Sequence, residues 1–202
     1  SIPFYVRELE KRQPAFIDSY PSSIYRIASF LESHGQQHRI RPKVIVTSSE
    51  TLLDYQRKTI MRVFGCPVRD QYGSAEMAGF FAECEQGRYH VAAEYGSVQV
   101  VDSSGTPLPV GEPGQLCLTG FINPAMPLVR YLIGDMARLS ADSCACGRSS
   151  AIVESIEGRI DDVIVTPSGR HVGRLDPAFK GVTGILESQI LQTGHDHIVV
   201  RI

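Results

Sequence analysis

Two short β-branched runs separated by one amphipathic helix constrain this chain more than any other feature. Lys43-Val44-Ile45-Val46-Thr47 is an apolar run of the kind buried on both faces of a parallel sheet. A helix is expected from about Thr51 to Val63, with Leu52, Leu53, Ile60 and Val63 turned inward. A second strand is expected over Cys66–Gln71. Strand, helix and strand with short links predict a βαβ unit. Upstream, residues 1–40 read as helical. A start at Pro21-Ser22-Ser23 precedes an apolar stripe of Ile24, Ile27, Ala28 and Leu31.

After about residue 82 the pattern shortens. Strands are expected over His90–Tyr95, Ser97–Asp102, Gly114–Gly120, Leu128–Leu139 and Ala151–Ile156. Asp102-Ser103-Ser104-Gly105-Thr106-Pro107 is a turn between two of them. Together they predict a small antiparallel, barrel-like region. Gly158-Arg159-Ile160-Asp161-Asp162 is a polar break. Val163–Val165, a turn at Thr166–Gly169 and a closing hairpin over Gln189–Thr193 and His197–Ile202 follow.

The chain has 202 residues, 43% hydrophobic and 21% charged, an ordinary globular composition. A net charge of −2 argues against nucleic acid or an anionic membrane surface as the main partner. No apolar run reaches the length of a membrane span. The opening Ser1-Ile2-Pro3-Phe4 has no initiator Met and no charged-then-apolar leader. Five cysteines form no disulfide framework, so a cytoplasmic, reducing setting is expected. Cys66 and Cys117 lie in apolar stretches and read as core residues.

Chemistry concentrates just past the second strand, in Gln71-Tyr72-Gly73-Ser74-Ala75-Glu76. Ligands of open α/β sheets bind outside the carboxyl ends of strands. There a Tyr can stack on a base, a Gly lets backbone approach closely, a Ser can bond a phosphate oxygen and a Glu can hold a hard cation. Three further pieces follow the same logic: Ser48-Ser49-Glu50, Arg130-Tyr131-Leu132-Ile133-Gly134-Asp135, and Gly158-Arg159-Ile160-Asp161-Asp162 with Arg170. Taken singly, each also reads as an ordinary turn, hairpin or charged loop.

Order and spacing of the four pieces resemble the adenylate-forming (acyl-CoA synthetase) superfamily. The phenylacetate–CoA ligase and capsular-polysaccharide-biosynthesis branch is indicated by Pro21-Ser22, Thr47–Glu50, Pro127–Tyr131 and Cys144-Ala145-Cys146-Gly147-Arg148. The resemblance implies a C-terminal fragment of an α/β protein. Residues 1–157 would be the later part of the large AMP-binding domain, with an α/β portion at 1–82 and a β-rich portion carrying a metal site at 83–157. Residues 158–202 would be the hinge and the start of the small α+β domain.

It also implies roles. Ser49 and Glu50 would line adenine with backbone, and Tyr72 would stack on it beside Gly73. Ser74 would sit near the phosphates and Glu76 would hold Mg²⁺. Asp135 would accept from the ribose hydroxyls, and Arg159 would lie near ribose or phosphate. Asp161 would be the hinge, and Arg170 would serve the thioester-forming pose. Glu76 and Arg159 are the catalytic candidates. The implied activity is ATP-dependent carboxylate activation, followed by acyl transfer to CoA. The implied partners are a small carboxylic acid and CoA, and a homodimer is left open.

Two family features have no counterpart here. The Ser/Thr/Gly-rich phosphate loop lies upstream of this sequence, and the turn at Ser103–Pro107 only mimics its composition. The family's C-terminal catalytic Lys lies farther beyond the hinge than this sequence extends, and Lys180 is out of place. Little adenylation activity is therefore expected of this polypeptide alone.

Cys84-x5-His90 and Cys144-x-Cys146 supply three thiolates and one imidazole, a closed Cys₃His set suited to structural Zn²⁺. Free surface thiols beside a strand His are the plainer reading. A non-catalytic nucleotide- or zinc-stabilised interaction module, and a zinc protein with no nucleotide site, are the alternative functions.

Overall fold

The computed structural model describes all residues except 160–163, 170, 173–174, 176–178, 180–181, 183 and 186. The expected hinge Asp161 and the expected small-domain Arg170 lie outside the described residues. The chain divides into two compact units. The first comprises Ser1–Ser97, Gly120–Pro127 and Asp142–Ile152; the second comprises Val98–Thr119, Leu128–Ala141 and Val153–Ile202.

The first unit contains α1 (Ile2–Arg12), β1 (Phe16–Ser19), α2 (Pro21–Ser33), β2 (Val44–Ser48), α3 (Asp54–Phe64), β3 (Val68–Gly73), β4 (Phe80–Glu83) and β5 (Tyr89–Val91). Its strands lie in the order β1-β2-β3-β4-β5. The first three are parallel, and β4 and β5 continue antiparallel. The βαβ unit is therefore present, extended by β1 into two successive crossovers. Both crossovers step the same way across the sheet. Right-handed connections then put α2 and α3 on one face. There Ile24, Ala28 and Leu31 of α2 join Ile60, Val63 and Phe64 of α3 over Ile45 and Val68 in one buried cluster.

Three elements depart from the expected boundaries. Residues 1–40 are not helical throughout, because β1 interrupts them. Gln13 takes a left-handed conformation that ends α1, Pro14 follows it, and Pro21 opens α2. The four residues of β1 are short enough to be masked by helical periodicity on either side. Helix α3 begins at Asp54 rather than Thr51, because the Gln56 side chain accepts the Leu53 amide (3.0 Å) and fixes the first turn there. Strand β3 runs from Val68 to Gly73, so Tyr72 and Gly73 belong to the strand itself. Pairing with β4, Tyr72 opposite Phe81 and Gly73 opposite Phe80, extends it.

The second unit is built from β6 (Gly96–Val101), β7 (Pro113–Gly120), β8 (Tyr131–Ser140) and β9 (Ile152–Arg159), in sheet order β9-β8-β7-β6. Strands β7 and β8 are antiparallel, with a register slip between Gln115 and Cys117. Leu116, Cys117, Leu118, Ile133 and Ala137 are buried. The turn after β6 is held by the Asp102 carboxylate, which accepts from the amides of Ser104 (2.8 Å) and Thr106 (2.9 Å). Beyond β9, β10 (Ile164–Val165) pairs with β11 (His171–Val172), and β12 (Gln189–Gly194) forms a hairpin with β13 (His197–Arg201). Among the described residues, no helix is long and apolar enough to cross a membrane.

Candidate active and metal sites

Register decides what meets at the carboxyl ends of the parallel strands. Ser48 of β2 pairs with Gln71 of β3, so Ser49-Glu50 and Tyr72–Glu76 leave the sheet side by side. Ser49 adopts a left-handed conformation (φ 67°), which turns the chain sharply after the strand. The Glu50 carboxylate accepts from the Ser22 amide (3.1 Å) and the Ser22 hydroxyl (2.9 Å). It thus binds the first turn of α2, where amides are free and the helix dipole favours an anion. With its side chain so engaged, Glu50 faces the site through backbone.

Tyr72 stacks on Phe81, ring centroids 4.9 Å apart at 14°. Phe81 is buried and supports one face of the Tyr72 ring. The Ser74 carbonyl accepts the Met77 amide (3.1 Å) in the turn that follows, and this turn carries Glu76. The Ser74 Oγ is buried and has no hydrogen-bond partner. A buried hydroxyl left unpaired costs about 1–3 kcal/mol unless a ligand satisfies it, which fits an incoming acceptor such as a phosphate oxygen.

Asp135 and Arg159 lie in the second unit, on the neighbouring strands β8 and β9. Gly134 has φ +87°, and a Cβ there would come within 3.0 Å of the Arg159 guanidinium. The missing side chain at Gly134 is what lets Arg159 rest beside the Gly134-Asp135 turn. Nearby, Arg130 of the expected motif is a structural strut. Its guanidinium donates to Gln99 Oε1 (2.7 Å) and to the Gly105 carbonyl (2.6 Å).

The four metal candidates converge within the first unit. The ligand atoms of Cys84, His90, Cys144 and Cys146 all lie within 4.8 Å of one another. Cys84 Sγ is 3.7 Å from Cys144 Sγ, and Cys146 Sγ is 3.4 Å from His90 Nε2. A zinc tetrahedron with ordinary bond lengths has S···S edges of about 3.8 Å and S···N edges of about 3.6 Å. The donor set and these two edges therefore fit zinc. All five cysteines are free thiols, and 3.7 Å is far beyond a disulfide bond.

A buried polar network that sequence reasoning missed joins this hairpin to the sheet. Asp70 of β3 accepts from Thr47 Oγ1 (2.6 Å) and from the Tyr89 hydroxyl. Glu83 accepts from the Asp70 amide (2.8 Å) and from Arg57 (2.9 Å). Burial raises the Asp70 carboxyl above its ordinary value despite the hydroxyl donors. Burial together with the Asp70 charge pushes the Tyr89 phenol well up. The alternation of β3 predicts Asp70 inward, but no local signal names its partners.

With these features in place, comparison with known proteins assigns the class. No protein-family model matches the chain. It superposes on 2-hydroxyisobutyryl-CoA ligase in the postadenylation state with 2-HIB-AMP at a TM-score of 0.80, with 22% identity, over 99% of this chain and 45% of that one. An anthranilate CoA ligase in complex with anthranoyl-AMP gives 0.65, with 18% identity, over 87% and 35%. The fold is that of adenylate-forming enzymes.

Sequence relatives narrow the branch. Protein CapK of Staphylococcus aureus is 30% identical over 99% of this chain and 44% of its own length. The phenylacetate–coenzyme A ligase of Thermus thermophilus is 30% identical over 76% and 36%. The chain belongs to the adenylate-forming family, in the branch that holds CapK and the phenylacetate–CoA ligases. It spans less than half the length of these relatives.

Proposed function

We propose that this chain is the C-terminal part of an ATP-dependent, AMP-forming acid–CoA ligase and carries the adenine, ribose and magnesium side of its active site. The observation that carries the reading is the β2–β3 register. It sets Ser49-Glu50 beside Tyr72–Glu76 at the carboxyl ends of parallel strands, with an unsatisfied Ser74 hydroxyl among them. Tyr72, backed by Phe81, offers its second ring face to adenine. Ser49 and Glu50 line the base with backbone, and Gly73 admits the ligand. Asp135 accepts from the ribose hydroxyls, and Arg159 reaches the ribose or phosphate.

In the reaction, a substrate carboxylate oxygen attacks the α-phosphorus of ATP, a P–O bond forms, and the bond to pyrophosphate breaks. No protein nucleophile is required. The protein aligns the reactants and stabilises charge on the transferring phosphoryl group. Mg²⁺, held by Glu76 and phosphate oxygens, would supply positive charge there. CoA thiol would then take the acyl group and release AMP. Asp161 is the proposed hinge between the two steps and Arg170 serves the second; residues 158–202 form the hinge and the start of the small domain. The five free thiols suit a cytoplasmic setting.

Cys84, His90, Cys144 and Cys146 are assigned to a structural zinc. Four protein donors close the tetrahedron and leave no position for substrate. The span of 44% of CapK favours little turnover by this chain alone, and it keeps a second reading open, a non-catalytic nucleotide- or zinc-stabilised interaction module. Pyrophosphate exchange into ATP with phenylacetate and other small carboxylic acids tests the point. Exchange far below that of a complete ligase is expected. Full turnover by this chain would overturn the fragment reading.

A further inference from the structure

The two segments that carry the metal donors are also tied to each other by groups that are not donors. Glu85, next to Cys84, accepts from Arg148 (2.7 Å), two residues after Cys146. Arg88, two residues before His90, reaches Asp142 (3.4 Å), two residues before Cys144. Both ion pairs run between the 84–90 segment and the 142–148 segment, with opposite polarity. Exposed pairs of this kind are individually weak, yet here both join the same two loops around one cluster. The Cys84 amide also donates to the Arg88 carbonyl (2.9 Å), which closes the first loop on itself.

His90 has a second partner of its own. Its Nε2 faces Cys146 Sγ (3.4 Å), and its Nδ1 faces Ser150 Oγ (3.3 Å). A metal-ligating imidazole nitrogen must be unprotonated, so the ring proton must sit on the other nitrogen. Ser150 is placed to accept that proton as a hydrogen bond from Nδ1. His90 is itself buried on the short strand β5, so its ring has little freedom to choose otherwise.

We propose that Ser150 fixes His90 as an Nε2 ligand, and that the Glu85–Arg148 and Arg88–Asp142 bridges align the two donor loops before metal arrives, so the Cys₃His site is preformed. This rests on the zinc reading above. Ser150 is a positioning residue, and the bridges carry a second consequence. Three thiolates on a divalent ion leave one net negative charge, and Arg148 beside Cys146 offsets it.

The test uses the full chain. Zinc affinity is measured by competition with a chromophoric chelator for wild type, Ser150→Ala, Ser150→Thr and Glu85→Gln/Asp142→Asn. Nitrogen NMR of the metal-free protein reads the His90 tautomer. Wild type is expected to hold the Nδ1–H form and one zinc. Ser150→Ala is expected to bind zinc roughly 10–100-fold more weakly, the range seen for partners of metal ligands, and to shift the tautomer toward Nε2–H. Ser150→Thr, which keeps the acceptor, is expected to retain both properties. The double bridge variant is expected to bind more weakly with the tautomer unchanged. A wild-type chain that takes up no zinc sinks the metal reading. Zinc held equally by wild type and Ser150→Ala, with the same tautomer, sinks this proposal alone.

Discussion

At the scale of single residues, backbone freedom and burial decide more than charge does. Gly134 is left-handed, and its absent Cβ makes room for Arg159. Gly134→Ala is expected to cost about 1–2 kcal/mol from the left-handed backbone alone, and to displace Arg159. Urea denaturation gives the first, and weakened AMP binding reports the second. Asp70 makes a pH prediction whose sign is fixed. Its folded value is raised, chiefly by burial, so the folded state holds its proton more tightly than the unfolded one does. Its contribution is complete below the ordinary unfolded value of about 3.9 and is lost as pH rises through the raised folded value. The stability of wild type relative to Asp70→Asn is expected to fall with rising pH across that window. Denaturation of both proteins from acid to neutral pH checks it, and a flat difference would contradict it.

At the scale of elements, strand pairing turns sequence neighbours into a site. Phe81 on β4 is fully buried and backs Tyr72 across the β3–β4 pair. Phe81→Ala is expected to destabilise the chain by about 3–5 kcal/mol and to weaken AMP binding by freeing the Tyr72 ring. Calorimetric unfolding and nucleotide titration separate these effects. The sequence shows the elements that carry their own periodicity: the β-branched run at β2, the stripe of α2, the short strands of the second unit and the closing hairpin. It hides β1, whose four residues sit between Pro14 and Pro21 without a period of their own. It also hides β4, whose role exists only through pairing. The metal donors are legible because three Cys and one His are chemically unusual; Ser150 is not, because serine is common and only the fold brings it to His90. The Asp70–Thr47–Tyr89 cluster is invisible for the same reason, since its members are 19 to 23 residues apart.

At the scale of the molecule, the chain is a working portion of a longer design. It aligns with 44% of CapK yet carries two self-contained features, a nucleotide corner and a metal clamp. The clamp joins the loop after β4 to the loop before β9. Removing zinc is expected to lower the unfolding midpoint by about 5–10 °C, the shift matching about 2.7 kcal/mol of linkage at a hundredfold excess of metal. Thermal scans with and without chelator, using Cys146→Ser as control, check this. A midpoint insensitive to chelator in a zinc-loaded sample would contradict a structural role.

The central claim is that Tyr72 and its neighbours hold the adenine of a carboxylate-activating site. Isothermal titration of AMP into the zinc-loaded chain, with magnesium present, tests it most directly. The account predicts saturable binding that Tyr72→Ala weakens by roughly 5–150-fold, the equivalent of about 1–3 kcal/mol of base stacking. No heat of AMP binding to wild type, or equal binding by Tyr72→Ala, would contradict it.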